Sequence, residues 1–426
     1  MNSLQIISLV VFGFVLFSVI THKINRTTAA MLGAAVVIAS GIFPDQMEAF
    51  RDFIDFNTIF LLLGMMIFVN VLKKRNIFTY MGIMALKVTG KNLKMLYVSL
   101  IFIVAIISSV IDNVTTILIF VPISLAICDS LDIDYLPLIL SEIFASNIGG
   151  TATIIGDPPN IMIASSANLT FMDFTKVMGP LAVLNLIGLI VFIFIVFRKE
   201  LKVKIDVNII KNLDTHELIE DKKEFIISFV LLGITIILFV FQHYLNLEAS
   251  VVSIIAAFSS LLILERHEIH EILKDVEWES LLFFIALFII TGALEKTGVL
   301  EILSDKVIYF TKYSSEMFSG ILMTLSAVIS GFLDNIPFTA AMIPVTENVI
   351  KVNNGIGNYL WFYLSAGACL GGNMTAIGAS ANIIGLAMIK QFKNKRISFL
   401  KFMSYGFFIV IINLIISLIY FGIFFK

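Results

Sequence analysis

Three aspartates lie deep in apolar sequence, where a charged carboxylate is energetically unfavourable. Asp112, Asp157 and Asp334 are each flanked by long runs of aliphatic and aromatic residues. A charged side chain at the centre of a membrane-crossing helix costs about 2.5–3.5 kcal/mol on insertion scales. Carboxylates at that depth normally face a cavity, a bound ion or a partner. We predict that all three couple ion or proton movement; a structural ion pair is the alternative.

Two glycine-rich segments predict helices that break inside the membrane. Residues 149–160 read GGTATIIGDPPN and residues 371–382 read GGNMTAIGASAN. Paired prolines remove backbone donors, and an unwound backbone is tolerated at that depth only inside protein or beside a solute cavity. Opposed half-helix ends attract anions at their amides and cations at their carbonyls, although a kink for packing would leave the same pattern. The site residues predicted from the breaks are Gly149, Gly150, Thr151, Thr153, Asp157, Asn160, Gly371, Gly372, Asn373, Thr375, Ser380 and Asn382.

Two short polar segments between apolar arms predict hairpin tips. Residues 108–116 read SSVIDNVTT and residues 330–339 read SGFLDNIPFT. Asn113 and Asn335 suit turn geometry because their side chains bond to nearby backbone, and contact with a solute would use the same residues. The site residues predicted from the tips are Asp112, Asn113, Thr115, Thr116, Asp334, Asn335 and Thr339.

These motifs recur because the chain aligns with itself at an offset of 222 residues. Asp112-Asn113 falls on Asp334-Asn335, and six of the twelve residues in the two glycine-rich segments are identical. Asp157 is the exception, since its counterpart is Ala379. A residue needed only for the packing of each repeat should recur, so this asymmetry favours a role for Asp157 in coupling.

The composition indicates a polytopic membrane protein. Of the 426 residues 59% are hydrophobic and 14% are charged, and apolar runs long enough to cross a bilayer recur along the chain. The two cysteines predict no disulfide, and the net charge of −2 gives no reason to expect nucleic acid binding. We predict an all-α protein. Its first repeat is 1–198 (hairpin 95–128, broken helix 135–165), a charged cytoplasmic linker is 199–224, and its second repeat is 225–426 (hairpin 316–350, broken helix 358–390).

The arms of each hairpin could instead be two full crossings. Re-entrant hairpins give each repeat about five crossings and make the repeats inverted, whereas full crossings give six and make them parallel. With hairpins, 22 of the 29 lysines and arginines fall on one side. Basic residues stay in the cytoplasm, so we predict inverted repeats in the plasma membrane with both termini outside.

The hairpin and break motifs together resemble the ion transporter superfamily over nearly the whole chain. The resemblance is strongest to the branch with arsenite permeases, the P-protein and D-type sodium/proton antiporters, and weaker to dicarboxylate and citrate carriers. It implies a moving transport domain of hairpins and broken helices, a usually dimeric scaffold and an elevator-type motion. Where dicarboxylate carriers have Ser-Asn at the hairpin tips, this chain has Asp-Asn, and an anionic tip repels a dianion.

We therefore expect a secondary active transporter rather than an enzyme. The leading hypothesis is export of arsenite or a similar small oxyanion in exchange for protons, and the alternative is sodium/proton antiport. A dicarboxylate or citrate carrier and a passive channel rank lower, and an intramembrane aspartyl protease lower still. The expected partners are a small inorganic solute, membrane lipid and a second copy of the chain, with a separate ATPase subunit only if pumping is ATP-driven. We expect no cofactor beyond a sodium ion or proton at the same sites.

Overall fold

A computed structural model describes residues 2–21, 24–88, 92–202, 219, 221–242, 244–266, 269–299, 315–333, 335–352, 357–395 and 397–425. Asp334 and most of the predicted linker lie outside the described residues. The regular structure of the described part is helical, without a β-strand. The chain is a polytopic membrane protein of the predicted class, with inverted repeats.

The first half begins with five helices, α1 to α5, and continues with a hairpin, a broken helix and a final long helix. The hairpin arms are α6 and α7, and the broken helix is α8 followed by α9. The bounds are α1 Ser3–Thr21, α2 Arg26–Ala39, α3 Glu48–Arg51, α4 Phe56–Lys74, α5 Ile77–Val88, α6 Leu93–Ser108, α7 Asn113–Leu131, α8 Tyr135–Gly150, α9 Pro158–Ser166 and α10 Phe171–Val196.

The second half repeats this series. Its hairpin arms are α15 and α16, and its broken helix is α17 followed by α18. The bounds are α11 Lys222–Phe241, α12 Ala249–Leu264, α13 Ile269–Lys274, α14 Trp278–Lys296, α15 Ser315–Ser330, α16 Asn335–Val352, α17 Leu360–Gly371, α18 Ser380–Lys393 and α19 Phe399–Phe424.

Polar side chains define where several helices begin. Asn25 accepts a hydrogen bond from the Thr28 amide at the start of α2, and Asp55 accepts one from the Thr58 amide at the start of α4. Such caps satisfy backbone donors that have no partner within the helix. Five of the described helices are long and apolar enough to cross a membrane, namely α4, α10, α11, α14 and α19.

The helices divide into two packed groups. One group pairs α4 with α12 and α2 with α14, with α1 and α11 alongside. The other group contains both hairpins and both broken helices, with α6 and α7 against α8, and α15 and α16 against α17. We call the first group the scaffold and the second the core body.

The two halves interlock within the core body. The hairpin arm α7 packs on α18 of the opposite broken helix, and the arm α16 packs on α9. These contacts are equivalent under the repeat, because α7 corresponds to α16 and α9 to α18. Each hairpin therefore meets the broken helices of both halves, and the tips and breaks come together at one place.

Candidate functional site

Hydrogen bonds tie the first hairpin tip to the first helix break. The Ser108 hydroxyl lies 2.8 Å from the Ser146 carbonyl oxygen and 2.6 Å from the Asn113 side-chain oxygen, and its single proton can be donated to either. The Thr153 hydroxyl donates to the Ser109 carbonyl. The first hairpin tip and the first helix break are therefore joined directly by side-chain hydrogen bonds.

The amide of Asn160 closes the first break from inside. It donates to the Gly150 and Thr153 carbonyls, each at 3.0 Å. The Gly150 carbonyl belongs to the last residue of α8, and the Thr153 carbonyl belongs to the unwound segment between α8 and α9. Buried carbonyls without partners are costly, so this side chain is what makes the unwound backbone tolerable.

The same bonds recur in the second half at the offset of 222 residues. Ser330 donates to the Ala368 carbonyl and Thr375 to the Gly331 carbonyl, both at 2.6 Å. Asn382 donates to the Gly372 and Thr375 carbonyls, both at 2.8 Å. The sequence repeat is thus a repeat of individual hydrogen bonds, which is strong support for duplicated architecture.

Two glycines allow the hairpins to touch the broken helices. A Cβ atom on Gly149 would overlap the Ala105 backbone, and one on Gly371 would lie 2.5 Å from the Ala327 carbonyl oxygen. Both positions are helical, so the requirement is space rather than an unusual backbone angle. The first glycine of each pair therefore serves close packing.

The two broken helices cross at a buried polar cluster. Asn147 donates to Asn373 at 2.8 Å and to Asn382 at 2.9 Å. Cys369, which corresponds to Asn147 in the repeat, donates to Asn160 at 3.2 Å, and Ser365 donates to the same oxygen at 2.7 Å. The cluster joins the two halves at their breaks.

A cavity of about 390 Å³ opens beside these breaks. Both hairpin tips and both breaks contribute to its wall, together with apolar residues of the scaffold helices α4 and α14. This volume is within the range of small-molecule sites. The polar and charged residues along its wall are Arg26, Asp112, Asn113, Asp157, Glu277, Ser280, Asn335 and Ser380.

Asp157 is held across the repeat interface. The side chain is buried, and it accepts hydrogen bonds from the Asn335 amide at 3.1 and 3.2 Å. It lies at the start of α9 without capping that helix. Asp112 instead caps α7, because one of its oxygens accepts from the Thr115 amide at 2.8 Å. The carboxylate of the first break thus contacts the hairpin tip of the second half.

Three further polar residues of the cavity wall, Arg26, Glu277 and Ser280, were not predicted from the sequence and come from the scaffold helices. Glu277 precedes the span of α14 and faces the cavity. Partial burial removes water from the Glu277 carboxyl and raises its pKa, and the negative charge of Asp112 raises that pKa further. A hydrogen bond from Ser280 and the positive charge of Arg26 act in the opposite direction. The internal repeat could have indicated Glu277, because at the 222-residue offset it corresponds to Asp55, the acidic residue that caps α4.

The predicted site residues separate into two groups. Asp112, Asn113, Asp157, Asn335 and Ser380 lie along the cavity wall. Other members use their polar groups within the core body: Thr151 and Thr339 each donate to a carbonyl four residues earlier, and Thr116 does the same. The residues that contact the breaks or tips without lining the cavity are Thr115, Thr116, Gly149, Gly150, Thr151, Thr153, Asn160, Thr339, Gly371, Gly372, Asn373, Thr375 and Asn382.

Asp334 lies outside the described residues. Its neighbour Asn335 begins α16 at the cavity wall. No group of three histidine, cysteine or acidic side chains within the described part of the chain could hold a metal ion. The predicted sodium site stays a prediction.

An all-helical membrane protein with inverted repeats and a cavity at their breaks belongs to the class of multi-pass membrane transporters. Within it, this chain belongs to the citrate transporter family, whose model matches residues 14–367 and 298–426. The predicted membership of the ion transporter superfamily is confirmed.

Similar proteins agree with this assignment. An uncharacterised transporter of Mycobacterium tuberculosis is 35% identical, with 98% of each chain covered. The human P protein is 29% identical over 96% of this chain and 58% of its own length. The crystal structure of the YdaH transporter of Alcanivorax borkumensis has the same fold, with a TM-score of 0.68, 10% identity and 98% of each chain covered.

Proposed function

We propose that this chain is a secondary active transporter that exchanges a small solute for protons at the cavity beside the helix breaks. The observation that carries the proposal is the meeting of both tips and both breaks at one cavity with Asp112 and Asp157 on its wall. A carboxylate in such a place can release its proton when a solute binds and take it up again when the solute leaves. That exchange couples the two fluxes.

The charges on the wall favour a solute that is not a free polyanion. Asp112, Asp157 and Glu277 contribute acidic groups, whereas Arg26 contributes one guanidinium. A polycarboxylate would meet repulsion here unless it arrived with a cation, while a small neutral oxyacid such as arsenite would not. We therefore propose proton-coupled export of arsenite or a similar small oxyacid.

Sodium/proton antiport is the second candidate. The Asp157 carboxylate, held by Asn335 beside unwound backbone, presents oxygen ligands at a helix break. Oxygen atoms of this kind suit a hard cation. The same carboxylate would then alternate between a sodium ion and a proton.

We propose an elevator-type movement of the core body against the scaffold. Two features support it. The 390 Å³ cavity reaches the first turn of α2 and the residue before α14, at one end of the scaffold. A separate cavity of about 670 Å³ lies between the first turns of α4 and α12 and the end of α9, with Asn57, Ser165 and Glu248 on its wall. In the predicted orientation the first opening is cytoplasmic and the second is external.

Flux measurements in proteoliposomes test these proposals. The purified chain is reconstituted with a pH-sensitive dye inside, and arsenite, sodium and citrate are added in turn under set pH gradients. We expect arsenite to move protons in the opposite direction, and Asp157→Asn to abolish this coupling. Asp52→Asn, at an exposed carboxylate paired with Arg51, is the control and should behave as the wild type.

The outcomes separate the candidates. Proton movement with sodium alone and no effect of arsenite would replace oxyacid export by sodium/proton antiport. Proton movement driven by citrate would replace oxyacid export by citrate transport. Full coupling in the Asp157→Asn variant would remove Asp157 from the mechanism.

A further inference from the structure

A second buried carboxyl lies within the core body, away from the cavity wall. Glu142 occupies the middle of α8, and its side chain is 0% exposed. Its repeat counterpart is Leu364 in α17, which is also 0% exposed. An apolar residue therefore fills the equivalent place in the second half, so the repeat does not require a carboxyl there for packing.

The carboxyl of Glu142 has a single hydrogen-bond partner in the described part of the chain. The Ser124 hydroxyl on the hairpin arm α7 contacts Oε1. The other oxygen, Oε2, is buried and has no hydrogen-bond partner among the described residues. Glu142 also forms no salt bridge with any described residue.

The surroundings of Glu142 are otherwise apolar or weakly acidic. The helices packed against α8 are α6, α7, α10, α17 and α18. The Tyr97 phenol and the Cys128 thiol lie within range of the Glu142 charge. The titratable and charged groups on the packed helices are Lys94 and Tyr97 on α6, Cys128 and Asp129 on α7, Asp173 and Lys176 on α10, Tyr363 and Cys369 on α17, and Lys390 and Lys393 on α18.

These contacts suit the neutral acid and not the carboxylate. An ionised carboxyl that has lost its hydration needs a counter-ion or several hydrogen-bond donors. Glu142 has one donor, the Ser124 hydroxyl. Loss of the proton would leave a poorly satisfied anion between α7 and α8. The anion therefore favours any other arrangement of the core body that brings water or a donor to it, which links protonation to conformation.

We propose that Glu142 and Ser124 form a proton-binding site that is distinct from the cavity and that is occupied in the conformation described. The step is the dissociation of the carboxylic O–H bond, which leaves a carboxylate and passes the proton to water. The bound proton stabilises the packing of α7 on α8 described here, and its release favours a rearrangement within the core body that brings water or a donor to the carboxylate. This inference rests on the proposed alternating access, but the site can be tested without any transported solute.

The first measurement detects the proton on Glu142. Infrared difference spectra of the reconstituted protein, recorded between acid and alkaline pH, should contain a carbonyl band for each buried carboxylic acid that titrates in this range. Glu142→Gln should remove one of these bands, the Glu142 band, and Ser124→Ala should shift the same band by removing its hydrogen bond. Glu271→Gln, at a side chain that is 65% exposed, should leave the band unchanged.

The second measurement follows the conformation. Ile383 lines the cavity and is 41% exposed, and both native cysteines are buried. We expect maleimide labelling of Ile383→Cys, normalised to unfolded protein at the same pH, to decrease as the pH rises. In the Glu142→Gln background the labelling should stay high across the same range, because glutamine mimics the neutral acid. If Glu142→Gln impairs folding, Glu142→Leu is used in its place, because leucine is the residue at the equivalent position of the second repeat, Leu364.

Spectra in which Glu142→Gln removes no carbonyl band, or the same pH dependence of labelling in both backgrounds, would overturn the proposal. A band that disappears while labelling is unaffected would reduce Glu142 to a structural hydrogen bond and would also overturn it. Wild-type protein that shows the band and the labelling response but no solute flux would count against the proposed function and leave the proton site in place.

Discussion

At the scale of single residues, the two helix breaks depend on buried asparagines that hydrogen-bond to their backbone. Asn160 and Asn382 each donate to two carbonyls at a helix break and accept from the opposite broken helix. No other neutral side chain of this size offers two donors and an acceptor in one plane. In this conformation their amides contact backbone carbonyls, and the contact with a solute that we predicted for them stays a prediction.

Removing either amide should destabilise the protein. We expect Asn160→Ala and Asn382→Ala each to lower the free energy of unfolding by about 3 kcal/mol, because buried carbonyls lose their donors. Thermal unfolding of the purified protein in detergent measures the effect. Asn358→Ala, at an exposed position, is the control. A loss confined to solute binding, with unchanged unfolding, would point back to direct contact with solute.

Glu277 provides a prediction about pH. Its pKa is raised, first by the loss of hydration and next by the charge of Asp112. A carboxyl with a higher pKa in the folded state binds its proton more tightly there than in the unfolded chain. Its contribution to stability is therefore complete below the pKa of an unfolded glutamate and is lost as the pH rises through the folded-state value.

Glu277→Gln should therefore be more stable than the wild type at neutral pH and indistinguishable from it in acid. Unfolding midpoints of both proteins, measured from acid to neutral pH, give the comparison. The exposed Glu248 supplies the control variant Glu248→Gln, for which we expect a constant difference from the wild type. Parallel curves for Glu277→Gln and wild type would contradict the assignment.

At the scale of elements, an ion-pair cluster holds the scaffold helices α4 and α12 together. Glu265, with its side chain 2% exposed, pairs with Arg75 and with Lys74, the latter at 3.1 Å. Arg75 also reaches Glu224 at the start of α11, at 3.1 Å. The cluster therefore joins the end of α4 in the first half to α11 and α12 in the second.

Glu265→Gln should loosen this junction. Removal of one partner of a buried pair costs about 3–5 kcal/mol, and we expect about 3 kcal/mol because Arg75 keeps Glu224. Chemical denaturation in detergent measures the loss. Glu271, which is 65% exposed and lies 3.6 Å from Lys74, gives the matched control, and Glu271→Gln should change stability by about 0–1 kcal/mol. Equal effects of the two variants would show that burial of the pair contributes nothing.

At the scale of the whole molecule, the scaffold and the core body meet along the cavity. Each body contains helices from both halves, so a movement of one against the other moves both breaks together. This division agrees with the elevator-type motion that we propose. The homodimer and the separate ATPase subunit, like the coupling ion, stay predictions.

The orientation in the membrane can be tested by cysteine labelling. Both native cysteines are buried, so the background should be low. Tyr244, between α11 and α12, is 81% exposed, and the predicted topology places it outside; Lys274 at the end of α13 would lie inside. A membrane-impermeant maleimide should label Tyr244→Cys in intact cells and Lys274→Cys only after permeabilisation. The reverse pattern would invert the predicted topology.

Hydropathy and the repeat were sufficient to predict the fold. Apolar runs, glycine pairs and polar tips are local properties, and the bilayer leaves few ways to accommodate each of them. For this reason the breaks at 149–160 and 371–382 and the tips beside Asp112 and Asn335 lie where the sequence indicates. The bounds of the first hairpin, predicted as 95–128, differ by a few residues, because the Asn92 cap lets α6 begin at Leu93 and α7 continues to Leu131.

The side-chain partners could be known only from the folded chain. Whether an asparagine faces a cavity or a carbonyl depends on helix rotation and on the neighbour across the interface, which no local pattern contains. Asn335 meets Asp157, while Asn160 meets the Gly150 carbonyl. Arg26 and Glu277 approach the site from helix ends that are remote in sequence, and Glu142 is hidden in an apolar helix. Long-range packing brings these groups together, and long-range packing is the part of the fold that hydropathy does not encode.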